Sequence, residues 1–343
     1  MGDTGKTVYF LGAGASCASD FGLPTMKGFF RKDDFCLRKQ PVKYPNLFEF
    51  IKRKFGEIHF SELNLEEVIT FLALSLDSVG SFGDHPEVYI YQALREFDEY
   101  VSYRLNITEP KGCSEHKKII DASLAGSNSK DSIITLNYDL IVDNTLYELS
   151  PKESSGNVKH ECLLERMYHL LGRIQLWHGE RASLRQEDKD LGFYLKLHGS
   201  VDWIYCENPN CGNHQLFFPN WLGSDSAHNK PGDLCSLCGS PLVAVIVPPT
   251  MHKTFEKFPK LGLIWSLAYR ELRKADRIVI FGVSFAPSDY YLRWLFTKAV
   301  RGRENKPVIY NINNDESVCA KVETITGIRP EYKASLNDFL AQK

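Results

Sequence analysis

The sequence predicts an α/β protein built on a doubly wound, Rossmann-like parallel sheet. Two observations lead to this prediction. Short apolar runs of strand length recur along the chain, and most of them end in small or polar residues. Segments with helical periodicity separate these runs, and strands that alternate with helices are typical of parallel sheets. A helical insertion and a small four-cysteine zinc module complete the predicted architecture.

Size and composition place the chain in the globular class. It has 343 residues, of which 43% are hydrophobic and 24% are charged, with a formal net charge of -2. This length is enough for a large core or for two domains. Because no global positive field exists, we expect no direct binding to nucleic acid or to an anionic membrane. We see no apolar run of signal-sequence or bilayer-spanning character, so we predict a cytoplasmic protein.

The first predicted strand ends in a glycine-rich turn. The apolar run Val8–Leu11 leads directly into Gly12–Ser16. Gly12 and Gly14 lack a Cβ, which lets the backbone approach a ligand closely, and Ser16 can donate a hydroxyl. Because free N–H groups at a helix start attract anions, the turn predicts a phosphate site. The alternative is a tight turn alone, since the third glycine of the usual dinucleotide fingerprint is missing.

Polar residues also follow the next two predicted strands. Asn137 and Asp139 come after the apolar run 132–136, and His198 comes after the run 193–197. The carboxyl ends of parallel strands share one edge of a sheet, so these side chains are predicted to line one crevice. Each also has a structural alternative. Asn137 or Asp139 can cap the helix predicted to begin near residue 140, and His198 can be a hydrogen-bonded structural residue.

Three further apolar runs are predicted as strands, at 242–247, 277–281 and 307–310. The second closes on Gly282 and Ser284, and the third runs on to Asn313. Helices are predicted over 140–149, 161–175, 261–274 and 290–301, and a polar segment over 181–191 is predicted to be an exposed loop. Gly282, Ser284 and Asn313 therefore join the residues expected at the same sheet edge.

A long region between the first two strands carries aromatic residues and leucine at helical spacing. Asn64 is predicted to cap a helix that starts at Leu65, with Glu67 as its capping-box partner. Residues 29–130 are predicted as a helical insertion, of which 29–106 is expected to form an oligomer surface. The discontinuous Rossmann-like domain is predicted to comprise residues 1–28 and 131–343, with the zinc-ribbon module inserted at 203–242.

Four of the nine cysteines form two close pairs, whereas the other five are scattered singly. The pairs are Cys206-x4-Cys211 and Cys235-x2-Cys238, and a glycine follows the second cysteine of each pair. Four thiolates in this spacing predict tetrahedral zinc, and the alternative is four unligated thiols. A closed four-cysteine site has no open coordination position, so this zinc is expected to be structural and the module to unfold without it.

The order of these motifs resembles the sirtuin superfamily over nearly the whole chain. The matching motifs are Gly-Ala-Gly-x-Ser at 12–16, Gly-Leu-Pro at 22–24, Thr-x-Asn-x-Asp at 135–139, Leu-His-Gly at 197–199, the paired cysteines, Gly-x-Ser at 282–284 and Ile-Asn at 312–313. The resemblance implies that NAD is bound in this crevice. The residues it implies as NAD contacts are Gly12, Ala13, Gly14, Ser16, Gly282, Ser284 and Asn313.

The resemblance also implies the catalytic residues. His198 would be the catalytic histidine, and Asn137 and Asp139 would lie beside the nicotinamide ribose. Nicotinamide leaves NAD as a neutral molecule, so the site needs a positioned nucleophile rather than a strong acid. Asn137 can orient a water molecule and His198 can take its proton. Asp139 either stabilises positive charge on the sugar or only caps its helix.

Departures from the deacetylase pattern favour another branch of the superfamily. Thr25-Met26-Lys27 stands where deacetylases carry Asp-Phe-Arg, and Leu136 stands where they carry glutamine. The chain more closely resembles prokaryotic sirtuin-like NAD hydrolases linked to antiphage defence. That resemblance implies cleavage of NAD to nicotinamide and ADP-ribose, a homo-oligomer, and a possible HerA-type ATPase partner. The alternatives are an NAD-dependent protein deacylase and a catalytically silent subunit that binds NAD or ADP-ribose.

Overall fold

The structure is a computed structural model of the full chain. It describes residues 5–35, 43–56, 60–77, 88–105, 113–124, 131–149, 167, 192–211, 233–247, 259–287 and 289–341. The helix predicted over 161–175, apart from Met167, and the loop predicted over 181–191 lie outside the described residues. Among the described helices, none combines the length and the apolar content that a bilayer crossing requires.

Six parallel strands form the main sheet, in the order β3-β2-β1-β6-β7-β8. The strands are β1 (Thr7–Leu11), β2 (Ser132–Thr135), β3 (Tyr194–Lys196), β6 (Arg277–Phe281), β7 (Val308–Ile312) and β8 (Glu331–Lys333), and the intervening β4 (Gly199–Cys206) and β5 (Leu242–Ile246) pair with each other in a separate sheet. The chain winds outward from β1 in one direction and from β6 in the other. This order is that of the Rossmann-like doubly wound sheet, so the predicted fold class is confirmed.

The centre of this sheet is buried and largely apolar. Every residue of β1 is buried, and Val8 lies opposite Ser132 on one side and Ile278 on the other. Phe10 contacts Phe296 edge to face with ring centroids 4.9 Å apart. Because β1 and β6 are adjacent and the order reverses between them, the crevice of a doubly wound sheet is expected at their carboxyl ends.

The chain divides into two compact units, and the main sheet belongs to the first one, comprising Met1–Gly22, Ile107–Gly199 and Thr254–Lys343. The helices of this unit are Ala13–Cys17, Ser114–Leu124, Ile141–Glu148, Pro259–Lys274, Tyr290–Val300, Ser317–Thr326 and Leu336–Leu340. The helix Ser114–Leu124 packs on Ile141–Glu148, and the Cys113 amide donates to Thr145 Oγ1 at 3.2 Å. The predicted domain boundaries stay a prediction.

The second unit comprises Leu23–Asn106 and Ser200–Lys253. Its helices are Lys32–Phe35, Pro45–Phe55, Leu65–Asp77 and Val88–Leu105, with a 3₁₀ turn at Phe60–Glu62. Asn64 Oδ1 accepts from the Glu66 amide at 2.9 Å, so Asn64 caps the helix that begins at Leu65, as its sequence context predicts. Tyr100 stacks on Phe30 with ring centroids 5.5 Å apart, inside the aromatic cluster that fills this helical part.

Three strands differ from the sequence-based expectation, and one of them, β4, lies where the sequence predicts no strand. The apolar run at 242–247 pairs with β4 in the two-stranded sheet rather than joining the parallel one. Apolar character alone does not distinguish a strand of one sheet from a strand of another. The short edge strand β8 was not predicted, because Glu331-Tyr332-Lys333 has the polar character of an exposed edge rather than of a buried strand.

Candidate functional site

The glycine turns after β1 and β6 interlock through their backbones. The Gly12 amide donates to Phe281 O and the Gly14 amide donates to Gly282 O, both at 2.9 Å. Gly282 has φ +67°, and a Cβ there would lie 2.1 Å from the Ala15 amide nitrogen. These glycines are therefore required for the two turns to close on each other. The sequence suggests a different reason, close approach of a ligand, whereas the atoms that a Cβ would meet belong to the protein, nearly all of them to its backbone.

A hydrogen-bonded chain links the ends of β1 and β2. Asn137 Nδ2 donates to Gly12 O at 3.0 Å and to Ser16 Oγ at 2.7 Å. The Ser16 hydroxyl donates in turn to Asp139 Oδ2 at 2.7 Å. Both amide hydrogens of Asn137 are thus used inside the protein. Among the described residues, this leaves the carbonyl oxygen Oδ1 of the half-buried Asn137 as the atom that can accept from a ligand.

Asp139 has a structural role as well as a place in this chain. Its Oδ1 accepts from the Ile141 amide at 3.0 Å, at the start of the helix Ile141–Glu148. The capping alternative raised by the sequence therefore holds, and the same carboxylate also receives the Ser16 hydroxyl. One carboxylate fixes the helix start with one oxygen and the site serine with the other. The two readings of Asp139 are compatible.

A buried lysine that the sequence does not mark as a site residue binds the turn that carries Asn137 and Asp139. Lys196, on β3, is fully buried, and its Nζ donates to Asp139 O at 2.6 Å, to Asp143 Oδ2 at 3.2 Å and to Tyr138 O at 3.5 Å. The Tyr194 hydroxyl also donates to Asp143 Oδ2, at 2.8 Å. Lysine inside an apolar strand gives no local sign of burial, so only the fold reveals this cluster.

His198 lies just beyond β3 with 2% of its surface exposed. Its Nε2 is 3.8 Å from Asp289 Oδ2, and the rings of Tyr138 and Trp265 each lie with centroids 6.1 Å from the imidazole. The other oxygen of Asp289, Oδ1, accepts from the Leu292 amide at 3.1 Å. Asp289 therefore caps the helix Tyr290–Val300 and faces His198. The position of Asp289 before an apolar helical run could have identified it as a helix cap, but not as a neighbour of His198.

The residues after β6 and β7 are tied mainly to the protein itself. Asn313 Nδ2 donates to Val283 O at 3.2 Å, and Asn313 Oδ1 accepts from the Asp315 amide at 3.2 Å. Ser284 is exposed, and its backbone carbonyl accepts from Lys321 Nζ at 3.1 Å. Hydrogen bonds from Ser317 lower the pKa of the Asp315 carboxyl, which keeps it charged beside this turn.

The structure thus brings most of the predicted edge residues together in the first unit. Gly12, Gly14, Ser16, Asn137, Asp139 and Gly282 are joined by direct hydrogen bonds or backbone packing, and Asn313 joins them through Val283. Ala13 begins a helix of only five residues. The amides of Gly12, Gly14 and Ala15 already have protein acceptors. Contact of these residues with a ligand stays a prediction.

The four paired cysteines meet in the second unit. Their Sγ atoms all lie within 4.8 Å of one another, with Cys206 and Cys238 at 3.5 Å and Cys211 and Cys235 at 3.7 Å. Zinc–thiolate bonds of about 2.3 Å place tetrahedral sulfur atoms about 3.8 Å apart. The donor set and spacing therefore fit one zinc ion.

Tight turns support this cysteine cluster. The Gly239 amide donates to Cys235 O at 2.8 Å, and Gly239 has φ +72°, a conformation that favours glycine. Hydrogen bonds from the side chain and backbone of Ser240 lower the pKa of the Cys238 thiol to about 6. Burial raises the pKa of the neighbouring Cys206 thiol, so the four thiols do not share one tendency to ionise, and the metal assignment rests on their geometry. The zinc assignment itself remains a proposal.

Comparisons with known proteins give a distant structural likeness. No protein-family model matches the chain, and no curated protein matches it significantly. Similar solved structures include a Sir2 homologue in complex with NAD, at 17% identity over 98% of this chain and 87% of that chain, with a TM-score of 0.48. Another is a Sir2 protein bound to an acetylated peptide, at 12% identity over 98% and 91%, with a TM-score of 0.45. The class that the sheet order defines is the Rossmann-like α/β class.

Proposed function

We propose that this chain is a sirtuin-type enzyme that hydrolyses NAD to nicotinamide and ADP-ribose. The observation that carries the proposal is the hydrogen-bonded chain from Asn137 through Ser16 to Asp139, at the carboxyl ends of β1 and β2 and next to the switch point between β1 and β6. NAD is the proposed ligand because the order of the sequence motifs resembles that of sirtuins. The bound dinucleotide would lie across the turns after β1 and β6, where doubly wound sheets bind nucleotides.

The reaction breaks the bond between nicotinamide and the ribose and adds water to the ribose carbon. Nicotinamide takes the bond electrons and leaves neutral, so no acid is required at the leaving group. The water loses one proton as its oxygen bonds to the sugar. The net reaction is NAD⁺ and water to nicotinamide, ADP-ribose and a proton.

Asn137 is suited to position the attacking water or a ribose hydroxyl. Its two amide hydrogens are held by Gly12 O and Ser16 Oγ, which orients Oδ1 as a fixed acceptor. A positioned acceptor costs no reorganisation when the reaction occurs. Ser16 links this amide to Asp139, so a change at any of the three shifts the others.

His198 is suited to accept the proton. Burial removes competing water from the imidazole, and Asp289 Oδ2 at 3.8 Å stabilises the imidazolium that proton transfer produces. Positioned general bases contribute about 10²–10⁴-fold to rate. Asp289 would act through His198, as a positioning residue.

The biological setting follows from the same resemblance and is part of the proposal. Depletion of NAD would stop the growth of an infected cell, which is the logic of antiphage defence. Such an activity requires restraint, and we propose that a homo-oligomer or a HerA-type ATPase partner supplies it. Light scattering of the purified chain, alone and with NAD, measures the first of these directly.

The test is release of nicotinamide from NAD by the purified full chain. We expect ADP-ribose and nicotinamide in equal amounts without any peptide present. His198→Ala and His198→Gln should both lower kcat by about 10²–10⁴-fold, because neither replaces the proton acceptor. Their melting temperatures, measured beside that of the wild type, separate loss of catalysis from loss of fold.

Three results would overturn the proposal. Undiminished turnover in both His198 variants would remove the mechanism. Cleavage only with an acetyl-lysine peptide, yielding O-acetyl-ADP-ribose, would make the chain a deacylase. Tight NAD binding without nicotinamide release, with partner and oligomer present, would make it a silent binding subunit.

A further inference from the structure

The turn that carries Asn137 and Asp139 rests on a buried cation. Lys196 Nζ has three donors, and the turn and its helix supply three acceptors, namely Tyr138 O, Asp139 O and Asp143 Oδ2. Lys196 and Asp143 are both buried, with side-chain exposures of 0% and 2%. A lysine is almost never fully buried unless it is paired, so this arrangement needs a reason.

We infer that Lys196 is a positioning residue for the proposed reaction, fixing the Asn137–Asp139 turn through the two backbone carbonyls that it binds. This inference rests on the proposed function. A backbone carbonyl that points inward toward Nζ sets the direction of the peptide planes on either side of it. The side chains of Asn137 and Asp139 leave the backbone from those planes.

The contacts of Asp143 and Tyr194 keep the cation in place. Tyr194 and Lys196 are two residues apart on β3, so their side chains project from the same face of the strand. The Tyr194 hydroxyl donates to Asp143 Oδ2, the same oxygen that faces Nζ. The carboxylate therefore has partners from two residues of one strand, while it sits in the first turn of the helix Ile141–Glu148.

Other hydrogen bonds also hold the turn, and they do not involve Lys196. Asp139 Oδ2 accepts from Ser16 and Oδ1 accepts from the Ile141 amide, and the Asn137 amide donates to Thr135 Oγ1 at 3.0 Å. Lys196 and Ser16 thus hold the turn through separate hydrogen bonds. Loss of the Lys196 contacts frees the turn to shift without removing any proposed catalytic group.

The test uses Lys196→Met in the full chain, which keeps a long side chain and removes the charge and the donors. We expect kcat for nicotinamide release to fall about 10²-fold, the scale of a displacement near 1 Å, with KM nearly unchanged. Hydrogen exchange over residues 136–142 should quicken. Lys6→Met is the matched control, because Lys6 pairs with Glu271 at the amino end of β1, away from the proposed site. It should keep wild-type kcat.

A double variant separates positioning from the burial of a lone charge. Lys196→Met with Asp143→Asn removes the carboxylate left without its cation, so stability should recover relative to the single variant. The carbonyls of Tyr138 and Asp139 still lack their donor, so kcat should stay low. If kcat recovers together with stability, Lys196 is only structural and the inference fails.

The outcomes distinguish this inference from the proposed function. If the wild type releases no nicotinamide, the proposed function fails and the inference fails with it. If the wild type is active but Lys196→Met keeps its kcat, or leaves exchange over 136–142 unchanged, the inference alone fails. If Lys196→Met does not fold, Tyr194→Phe replaces it, with a smaller kcat loss expected and an unchanged kcat contradicting the inference.

Discussion

The sheet edge and the four-cysteine cluster are both sets of polar groups assembled by folding, but different forces hold them. At the edge, side chains from distant segments satisfy one another, as Asn137, Ser16 and Asp139 do. In the cluster, two local turns bring four thiols within 4.8 Å of one another. The edge is organised by hydrogen bonds between protein groups, whereas the cluster has the donor set of a metal site.

Removal of the metal should have the largest effect. Structural zinc contributes about 10–16 kcal/mol in small modules. Chelation, or Cys235→Ser, should therefore abolish protection from hydrogen exchange over residues 200–211 and 233–247. The strands of the parallel sheet should keep theirs, because no predicted ligand lies in them. Metal analysis of the purified chain should find one zinc per chain.

Two results would contradict this account of the cluster. One is a chain purified without metal that keeps full protection over the same residues. The other is equal loss of protection in the parallel sheet, which would mean that the cysteine cluster supports the whole molecule. Cys17→Ser is the matched control, since Cys17 is exposed and lies outside the cluster.

Disrupting the contact between the two glycine turns should have the next largest effect on stability. A Cβ at Gly282 would lie 2.1 Å from the Ala15 amide nitrogen, at a φ of +67°. We expect Gly282→Ala to lower the free energy of unfolding by several kcal/mol, on the scale of about 3 kcal/mol or more for overpacking plus strain.

Gly302→Ala is the control for that substitution. Gly302 has φ +79° and has no atom within 4 Å of the added Cβ, so it reports backbone strain alone. We expect a cost of about 1–2 kcal/mol there. Equal denaturant midpoints for the two variants would show that the interlock of the turns carries no energy of its own.

The smallest expected effect is a pH dependence of stability, which comes from His116 in the first unit. His116 is buried, and among the described residues neither ring nitrogen has a hydrogen-bond partner. Burial lowers its pKa, which the nearby Asp139, Glu115 and Asp20 only partly oppose. Below pH of about 6.5 the unfolded chain binds a proton that the folded chain does not, so stability falls as pH decreases.

His116→Leu should remove that contribution. One proton changes the free energy of unfolding by at most about 1.4 kcal/mol per pH unit. The variant should therefore lose less stability than the wild type between pH 7 and pH 5.5. Denaturant unfolding at the two pH values measures it. Parallel loss of stability in both proteins would assign the acid sensitivity to other groups.

Much of the fold could be predicted because buried parallel strands are apolar and end abruptly. The runs at β1, β2, β3, β6 and β7 were all identified from that pattern. The strand β5 was identified but not its sheet, since periodicity carries no information about pairing partners. The polar strand β8 has the composition of a loop, and β4 begins with small and polar residues directly after Leu-His-Gly and ends at the first paired cysteine, so it carries no clear strand pattern.

The candidate site was predictable only where polar residues follow apolar strands. Asn137, Asp139 and His198 follow apolar runs, which made them visible. Lys196 was not, and Asp289 could have been identified only as a helix cap, because their partners Asp143 and His198 are distant along the chain. Lys196 binds Asp143, 53 residues earlier. Such pairings arise from the packing of the sheet and leave no local pattern.

The most direct test of the central claim is a crystal structure of His198→Ala with NAD, in which slow turnover preserves the dinucleotide. The account predicts NAD across the turns after β1 and β6, with Asn137 Oδ1 within hydrogen-bond distance of the nicotinamide ribose or of its attacking water. NAD bound elsewhere on the chain, or absent at saturating concentration, would contradict it.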